Sequence, residues 1–314
     1  MGWREKGMLF ISACPPAFVI NRKEMLMDAK KIYPRYMLII PVIVFIIFFV
    51  IPSTIGYAYA FTDWNSYVQD VSFVGFKNII EVFSDRTVPV ALINTIIFAG
   101  VKTIVVTVLG FVFALILNRR LKTRNAIRTV YFIPAIFSAL VVGLIFSALF
   151  QTRNGTVNLI IQAMGMDKVQ WLGSRWTAVF AISIAEVWRN LGYAIVITLA
   201  GLQSVSDEYI EAAKIDGASG WSLFKNITLP LIMPTVNVNI LFSLIYGLKM
   251  FDLVYVMTGG GPGHDTETFG TLMMNEMSTG RYAQSVAINL VFTVILVAVA
   301  IVYQKFSERW ENVQ

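Results

Sequence analysis

Residues 211–230 of the chain read EAAKIDGASGWSLFKNITLP, a polar stretch that lies between two long apolar segments. Its charged side chains are those of Glu211, Lys214, Asp216 and Lys225. The stretch follows the pattern EAA-x3-G-x9-I-x-L-P, in which Gly217 is the fixed glycine and Pro230 the closing proline. A charged stretch between apolar segments predicts a surface on which another molecule docks.

The composition of the whole chain is that of a membrane protein. Of its 314 residues, 57% are hydrophobic and only 14% are charged, with a mean hydropathy of +0.68. A soluble domain carries about 25% charged residues. Because the chain has one cysteine, Cys14, and one histidine, His264, we expect neither an internal disulfide nor a metal site. The net charge of +6 fits basic residues retained beside a membrane, and we expect no nucleic-acid partner.

Six segments are apolar enough to cross a bilayer, which requires about 20 residues each. They are residues 37–60, 90–117, 130–150, 177–202, 231–256 and 283–304. The third is the most uniformly apolar, and Pro41 and Pro52 predict a kink in the first. The sequence therefore predicts an all-α membrane protein with six transmembrane helices.

Basic residues decide the predicted orientation. With the N-terminus in the cytoplasm, 16 lysines and arginines fall on the cytoplasmic side and 6 on the other side. Residues 118–129 alone hold five basic residues and no acidic one. We therefore expect both termini in the cytoplasm, with a cytoplasmic extension over residues 1–36 and a cytoplasmic tail over 305–314. Between them lies a six-span domain, 37–304, whose polar loop over 203–230 is also cytoplasmic.

This loop carries the signals of two short helices. Ser204 or Ser206 can cap a helix that begins at Asp207, because acidic residues are favoured in a first helical turn. Gly217 can adopt the left-handed backbone that ends a helix. A second short helix is predicted over Gly220–Lys225, followed by entry into the fifth span.

Five ionisable side chains lie inside the predicted spans, where charge is costly and usually functional. They are Lys102, Glu186, Arg189, Lys249 and Asp252. Glu186 and Arg189 are three residues apart and can pair on one helix face, as can Lys249 and Asp252. Local pairing and a role in a solute pathway both remain open for these residues.

Polar residues also recur at helical spacing in two spans. The stripe in the fifth span consists of Thr235, Asn239, Ser243, Tyr246 and Met250, and that in the fourth of Ser183, Glu186, Asn190 and Tyr193. Hydroxyls, amides and tyrosine rings match the hydroxyl edges and apolar faces of sugars. The predicted pathway residues are Glu186, Asn190, Tyr193, Asn239, Ser243, Tyr246, Lys249 and Asp252. Hydrogen bonding between helices is an equally good explanation of Asn239 and Ser243.

Three stretches resemble the permease subunits of binding-protein-dependent sugar importers, the family of the maltose and glycerol-phosphate transporters. They are the pattern over residues 211–230, WRNLGYAIVITLAGLQ over 188–203, and TGGGP over 258–262 followed by TET over 266–268. The last is typical of the first permease of a pair. The resemblance begins at about residue 33 and implies the type I ABC importer permease fold.

The resemblance implies a transport subunit, not an enzyme, that forms half of a translocation pathway for a sugar or oligosaccharide. It further implies three partners in or at a bacterial cytoplasmic membrane and its lipid. These are a second homologous permease in a heterodimer, an ABC ATPase dimer that binds ATP and magnesium, and an extracytoplasmic solute-binding protein. The chain itself would hold no cofactor. Coupling to the ATPase would involve Glu211, Ala212, Ala213, Asp216 and Gly217.

Two other functions are compatible with six spans that carry polar stripes. An ATP-independent channel or facilitator for a small polar solute would not need the loop over 203–230. A membrane-embedded enzyme would need an acid and a base, for which Glu186, Lys249 and Asp252 are the candidates. The sequence has no G-x4-GK-[ST] phosphate loop, so ATP hydrolysis by that route is expected on another chain.

Overall fold

The computed structural model describes residues 35–67, 69–119 and 124–311, and every structural statement below refers to them. These residues form helices and no β-strand, apart from a single antiparallel bridge between Thr62 and Phe73. The all-α prediction is therefore confirmed. The extension predicted for residues 1–36 lies almost wholly outside the described residues.

The helices follow one another along the chain with short connections. They are α1 Ile39–Phe45, α2 Ile51–Ala58, α3 Lys77–Ser84, α4 Thr87–Leu117, α5 Arg124–Ile136, α6 Ala139–Leu149, α7 Thr156–Ala163, α8 Arg175–Ser204, α9 Asp207–Ile215, α10 Gly220–Leu223, α11 Leu229–Leu248, α12 Asp252–Met257, α13 Phe269–Ser278 and α14 Tyr282–Glu311. Two π-helical turns, Ile46–Val50 and Phe224–Thr228, join neighbouring helices. The chain divides into two compact units between Gly56 and Tyr57, and the second unit contains the cavity, the buried ion pairs and the polar loop described below.

Five described helices are long and apolar enough to cross a membrane by themselves. They are Tyr36–Phe61, Thr87–Leu117, Arg175–Ser204, Gly220–Leu248 and Tyr282–Glu308. A sixth crossing is possible if Ala126–Ile136 and Ala139–Leu149, which meet at an angle of 96°, form one broken span. Five of the six predicted spans thus correspond to continuous helices.

The third predicted span, 130–150, is not one straight helix. Pro134 lies inside α5 and cannot donate a helical hydrogen bond. Ser138 then adopts extended backbone and caps α6, with its Oγ accepting from the Val141 amide at 3.4 Å. The uniform hydrophobicity of this segment therefore concealed a sharp bend.

The fifth predicted span, 231–256, has different ends in the structure. The helix begins at Gly220, because the π-helical turn Phe224–Thr228 joins α10 directly to α11. The second short helix predicted in the loop is thus the first part of this span. The span ends at Leu248, and α12 is a separate helix that begins at Asp252.

Helix α4 lies against both α8 and α11, and small residues allow the close approach. A Cβ added at Gly110 of α4 would lie 2.6 Å from the Cβ of Ala194 on α8. A Cβ added at Gly247 of α11 would lie 2.7 Å from the Cα of Ala99 on α4. Because the nearest atoms are backbone or Cβ atoms, any larger side chain would push these helices apart.

Gly192→Ala is expected to destabilise the packing of α5 on α8. The added Cβ would lie 2.9 Å from the Cα of Phe132 and closer still to the carbonyl oxygen of Tyr131, and neither backbone atom can turn away. Overpacking of this kind costs about 1–3 kcal/mol. Thermal unfolding of the detergent-purified protein should therefore occur at a lower temperature. Gly100→Ala is the matched control, because nothing lies within 4 Å of its added Cβ; equal melting of the two variants would contradict the packing argument.

Candidate functional site

A cavity of about 450 Å³ lies between α4, α5, α8 and α11. Its lining residues are Lys102, Val106, Ala135, Arg189, Asn190, Tyr193, Ala194, Ile197, Asn239, Phe242, Ser243 and Tyr246. The wall combines aromatic rings with a few amides, one serine hydroxyl and two cationic side chains. Mostly apolar cavities with a few polar groups are typical of small-molecule sites.

The structure brings together five of the predicted pathway residues from two helices. They are Asn190, Tyr193, Asn239, Ser243 and Tyr246. Asn190 donates through Nδ2 to the carbonyl oxygen of Glu186 at 2.8 Å, and Asn239 reaches Thr198 Oγ1 at 3.4 Å. Asn239 thus bonds across helices and also lines the cavity, and its role in a solute pathway stays a prediction.

The other members of the two stripes lie elsewhere. Thr235 packs against Gly201 where α11 meets α8, and Met250 follows the end of α11 in an apolar core with Phe98 and Ile182. Ser183 is buried, and its Oγ has no hydrogen-bond partner in the described chain. The stripe on α11 therefore contributes to the cavity only through its middle three residues, and the stripe on α8 only through its last two.

A buried ion triad supports the cavity wall. Glu186 on α8 is 2% exposed and accepts from Lys102 Nζ of α4 at 2.5 Å. It also pairs with Arg189 Nη2 at 3.0 Å and with Arg189 Nε at 3.3 Å. Glu186 itself does not line the cavity; it lies behind the two cations that do. The predicted local pair of Glu186 and Arg189 is confirmed, with Lys102 as an additional partner.

Lys249 and Asp252 do not form the predicted local pair. Lys249 caps the end of α11 and Asp252 begins α12, so the two are not on one helix face. No ion pair joins them among the described residues, and neither lines the cavity. Lys249 instead borders a separate groove of about 730 Å³ that includes Phe251 and Asn289. The predicted local pair was wrong because it assumed that the fifth span continues to residue 256, whereas α11 ends at Leu248.

The polar loop folds as the sequence predicts at its first helix. Ser206 caps α9, with its Oγ accepting from the Glu208 amide at 3.3 Å. At the other end Gly217 has a φ of 87°. Its amide donates to Lys214 at 3.0 Å, and the Ala218 amide donates to Ala213 at 2.9 Å. These two bonds form a Schellman motif, which satisfies the last carbonyl groups of the helix.

The predicted coupling residues divide between the surface and the interior. Glu211, Ala212, Asp216 and Gly217 are exposed, as are the apolar side chains of Tyr209, Ile215 and Trp221. Ala213 is 7% exposed and faces the rest of the chain, so it is not available for docking as predicted. Phe224 contacts both Trp221 and Phe111 of α4, which attaches this exposed surface to the spans.

The glycine-rich loop between α12 and α13, residues 258–268, is hydrogen-bonded to α4, and α4 is hydrogen-bonded in turn to α8. Asn94 of α4 is fully buried and donates to the carbonyl oxygens of Asp265 and Glu267, each at 3.0 Å. Arg175 of α8 donates in turn to Asn94 Oδ1 at 3.0 Å. His264 and Asn275 bond the buried Glu267 carboxylate. No group of ligands for a metal ion occurs in the described part of the chain.

Burial raises the pKa of the Glu276 carboxyl on α13. The paired guanidinium of Arg281, 2.5 Å away, opposes this shift, whereas the negative charges of Asp85 and Glu267 add to it. Two buried carboxylates, those of Glu267 and Glu276, therefore lie near the glycine-rich loop, and each is held by partly buried hydrogen bonds.

Lys102 and Arg189 are the two charged cavity residues absent from the pathway prediction. A signal was present for Lys102, because no acidic residue lies three or four positions from it on its own helix. A buried lysine without a local partner requires one from another span. The partner could not be identified from sequence, since Glu186 is 84 residues away.

Comparisons with known proteins agree with this architecture. Residues 106–312 match the family described as binding-protein-dependent transport system inner membrane component. The chain is 36% identical to the trehalose/maltose transport system permease protein of Thermococcus litoralis, over 86% of this chain and 92% of the relative. It is 31% identical to the multiple sugar-binding transport system permease protein of Streptococcus mutans, over 91% of this chain and 100% of that protein.

A solved structure has the same fold. It is a chain of a bacterial alginate ABC transporter, crystallised in complex with alginate pentasaccharide-bound periplasmic protein. The two folds superpose with a TM-score of 0.77 at 22% sequence identity, over 91% of this chain and 98% of that one. The overall fold of this chain is therefore one already known from a solved ABC transporter chain.

Proposed function

Since the chain belongs to the family of inner-membrane components of binding-protein-dependent transport systems, we propose that its cavity is half of the pathway for a sugar or oligosaccharide. The chain is a multi-pass membrane permease subunit and not an enzyme. Relatives that are named for trehalose and maltose or for multiple sugars support a sugar as the solute.

The composition of the cavity wall carries this proposal. Tyr193, Phe242 and Tyr246 offer flat apolar faces, and Asn190, Asn239 and Ser243 offer donors and acceptors. A sugar ring has an apolar face and a hydroxyl edge, so it can stack and form hydrogen bonds in the same place. The alternation of rings and amides on facing helices α8 and α11 matches this need.

The family and the exposed surface of α9 support three partners for this chain. We propose that the loop over 203–230 lies in the cytoplasm and docks on an ABC ATPase that binds ATP and magnesium. A second permease completes the pathway, and a solute-binding protein delivers the sugar on the opposite side of a cytoplasmic membrane. The family's binding-protein dependence supports the last partner. Exposed Ile215 and Trp221 beside Glu211 suit a docking surface.

Reconstitution tests the proposed function. The chain is assembled in proteoliposomes with the permease, ATPase and binding protein that its neighbouring genes encode. Uptake of radiolabelled trehalose, maltose and digalacturonate is then measured with and without ATP. ATP-dependent uptake of a sugar is the expected result. Uptake that proceeds equally without ATP would instead support the channel or facilitator.

Tyr246→Ala is expected to lower uptake at least 10-fold while the complex still assembles. Its ring is 60% exposed at the cavity and lies beneath Lys102 Nζ, 5.7 Å from the ring centroid. Loss of a stacking face removes binding energy without opening the protein core. Tyr255→Ala is the matched control, because Tyr255 is 41% exposed on α12 and lines neither cavity. Equal uptake by the two variants would exclude the cavity as the pathway.

A further inference from the structure

The ion triad contains one more positive than negative charge. Lys102 and Arg189 both line the cavity, and Glu186 behind them is the single carboxylate that they share. No acidic side chain occurs among the described residues of the cavity wall. A buried carboxylate needs at least one close cation, but it does not need two. One of the two cations can therefore leave Glu186 without exposing an unpaired buried charge.

Arg189 is the cation whose position allows it to leave. Lys102 is 4% exposed, and its Nζ is 2.5 Å from Glu186 Oε1, so it is held inside the wall. The Arg189 side chain is 25% exposed, and its two shortest bonds to Glu186 are longer, at 3.0 and 3.3 Å. Arg189 also lines the cavity, so a change of its side-chain rotamer can turn the guanidinium from Glu186 toward a solute.

We propose that Arg189 determines specificity by leaving Glu186 and binding a pair of adjacent oxygen atoms on the transported solute. A guanidinium donates two parallel N–H groups, which match either two vicinal hydroxyls or one carboxylate. Lys102 stays on Glu186 and acts as a positioning residue. This proposal rests on the proposed function, since it requires that a solute enters this cavity.

The affinity of the cavity itself provides the test. The assembled complex without its binding protein is titrated with trehalose, maltose or digalacturonate, and the dissociation constant is measured by saturation-transfer NMR. A hydrogen bond from a charged group corresponds to a loss of roughly 10- to 100-fold in affinity when it is removed. Arg189→Gln is expected to show that loss. Arg189→Lys keeps the charge and the ion pair but not the two parallel N–H groups of the guanidinium, and it is expected to bind the solute several-fold more weakly.

Lys102→Met tests whether Arg189 must leave Glu186 in order to bind the solute. Without Lys102, Arg189 is the only ion-pair partner of Glu186 and stays bound to it. The affinity for the solute therefore falls, although the guanidinium of Arg189 is intact. Adding Glu186→Gln to Lys102→Met should restore the affinity, because no carboxylate is then left to hold Arg189 and no unpaired charge is left buried. Affinity that stays low in this double variant would show that Lys102 binds the solute directly and would overturn the release mechanism.

The solute panel identifies the source of the oxygen pair. A larger loss for digalacturonate than for the disaccharides indicates a carboxylate, and the reverse indicates vicinal hydroxyls. Unchanged affinity of Arg189→Lys and Arg189→Gln for every probe that the wild type binds overturns the role of Arg189. If the wild-type complex neither binds nor transports any probe, the proposed function fails instead, so the two failures are distinct.

Discussion

Glu186→Ala is expected to destabilise the protein by about 3–5 kcal/mol. The substitution leaves the ammonium of Lys102, which is 4% exposed, without its partner at 2.5 Å. A buried unpaired charge costs far more than the pair itself contributes. Because folded proteins are stable by only about 5–15 kcal/mol, this loss should lower both the melting temperature and the amount of protein recovered from the membrane.

A double variant separates loss of charge balance from loss of packing. In Glu186→Ala/Lys102→Met both buried charges are gone, and the methionine fills most of the volume of the lysine stem. Apolar replacement of a buried ion pair is often neutral, so we expect most of the melting temperature to return. Arg189 does not prevent this recovery, since its side chain is 25% exposed and can reach the cavity. A double variant that melts as low as Glu186→Ala would mean that packing, not charge, dominates at this position.

Gly217→Pro is expected to abolish ATP-driven uptake while membrane insertion remains normal. Gly217 has a φ of 87°, whereas proline is restricted to about −65°. Proline also removes the amide that donates to Lys214 at 3.0 Å, so the Schellman motif that ends α9 is lost. The exposed surface that carries Glu211 and Ile215 would then change its direction. Since Gly217 is exposed and belongs to none of the three apolar cores of the described chain, the spans should still fold.

Matched variants test whether ATP-driven uptake depends on the backbone conformation at Gly217 or on the carboxylate of Glu211. Gly217→Asn should retain most of the uptake, because asparagine tolerates the left-handed conformation and keeps the amide. Glu211→Ala leaves the backbone unchanged and should also abolish uptake if its carboxylate contacts the ATPase. Co-purification of the ATPase with each variant is the second measurement. Normal uptake by both Gly217→Pro and Glu211→Ala would exclude this segment as the coupling element.

The correctly predicted features depend on neighbours in the sequence. Apolar runs of sufficient length predicted the spans, and Ser206 and Gly217 predicted both ends of α9. The same local reasoning was wrong where two local signals competed. In the segment around Pro134 and Ser138, high hydrophobicity concealed a helix break. Beyond Leu248, the apolar run continued although the helix did not.

The sequence by itself determined that this is an all-α membrane protein with a polar, capped segment between two spans. Hydrophobicity, helix caps and glycine conformations act over a few residues, so they can be identified from the order of residues. Only the tertiary structure decided that Lys102 pairs with Glu186, that Arg189 faces the cavity and that Lys249 does not. These contacts join helices far apart in the chain, and their distances depend on close helix packing at small residues such as Gly110 and Gly247. Packing of this kind has no local signal that specifies the partner.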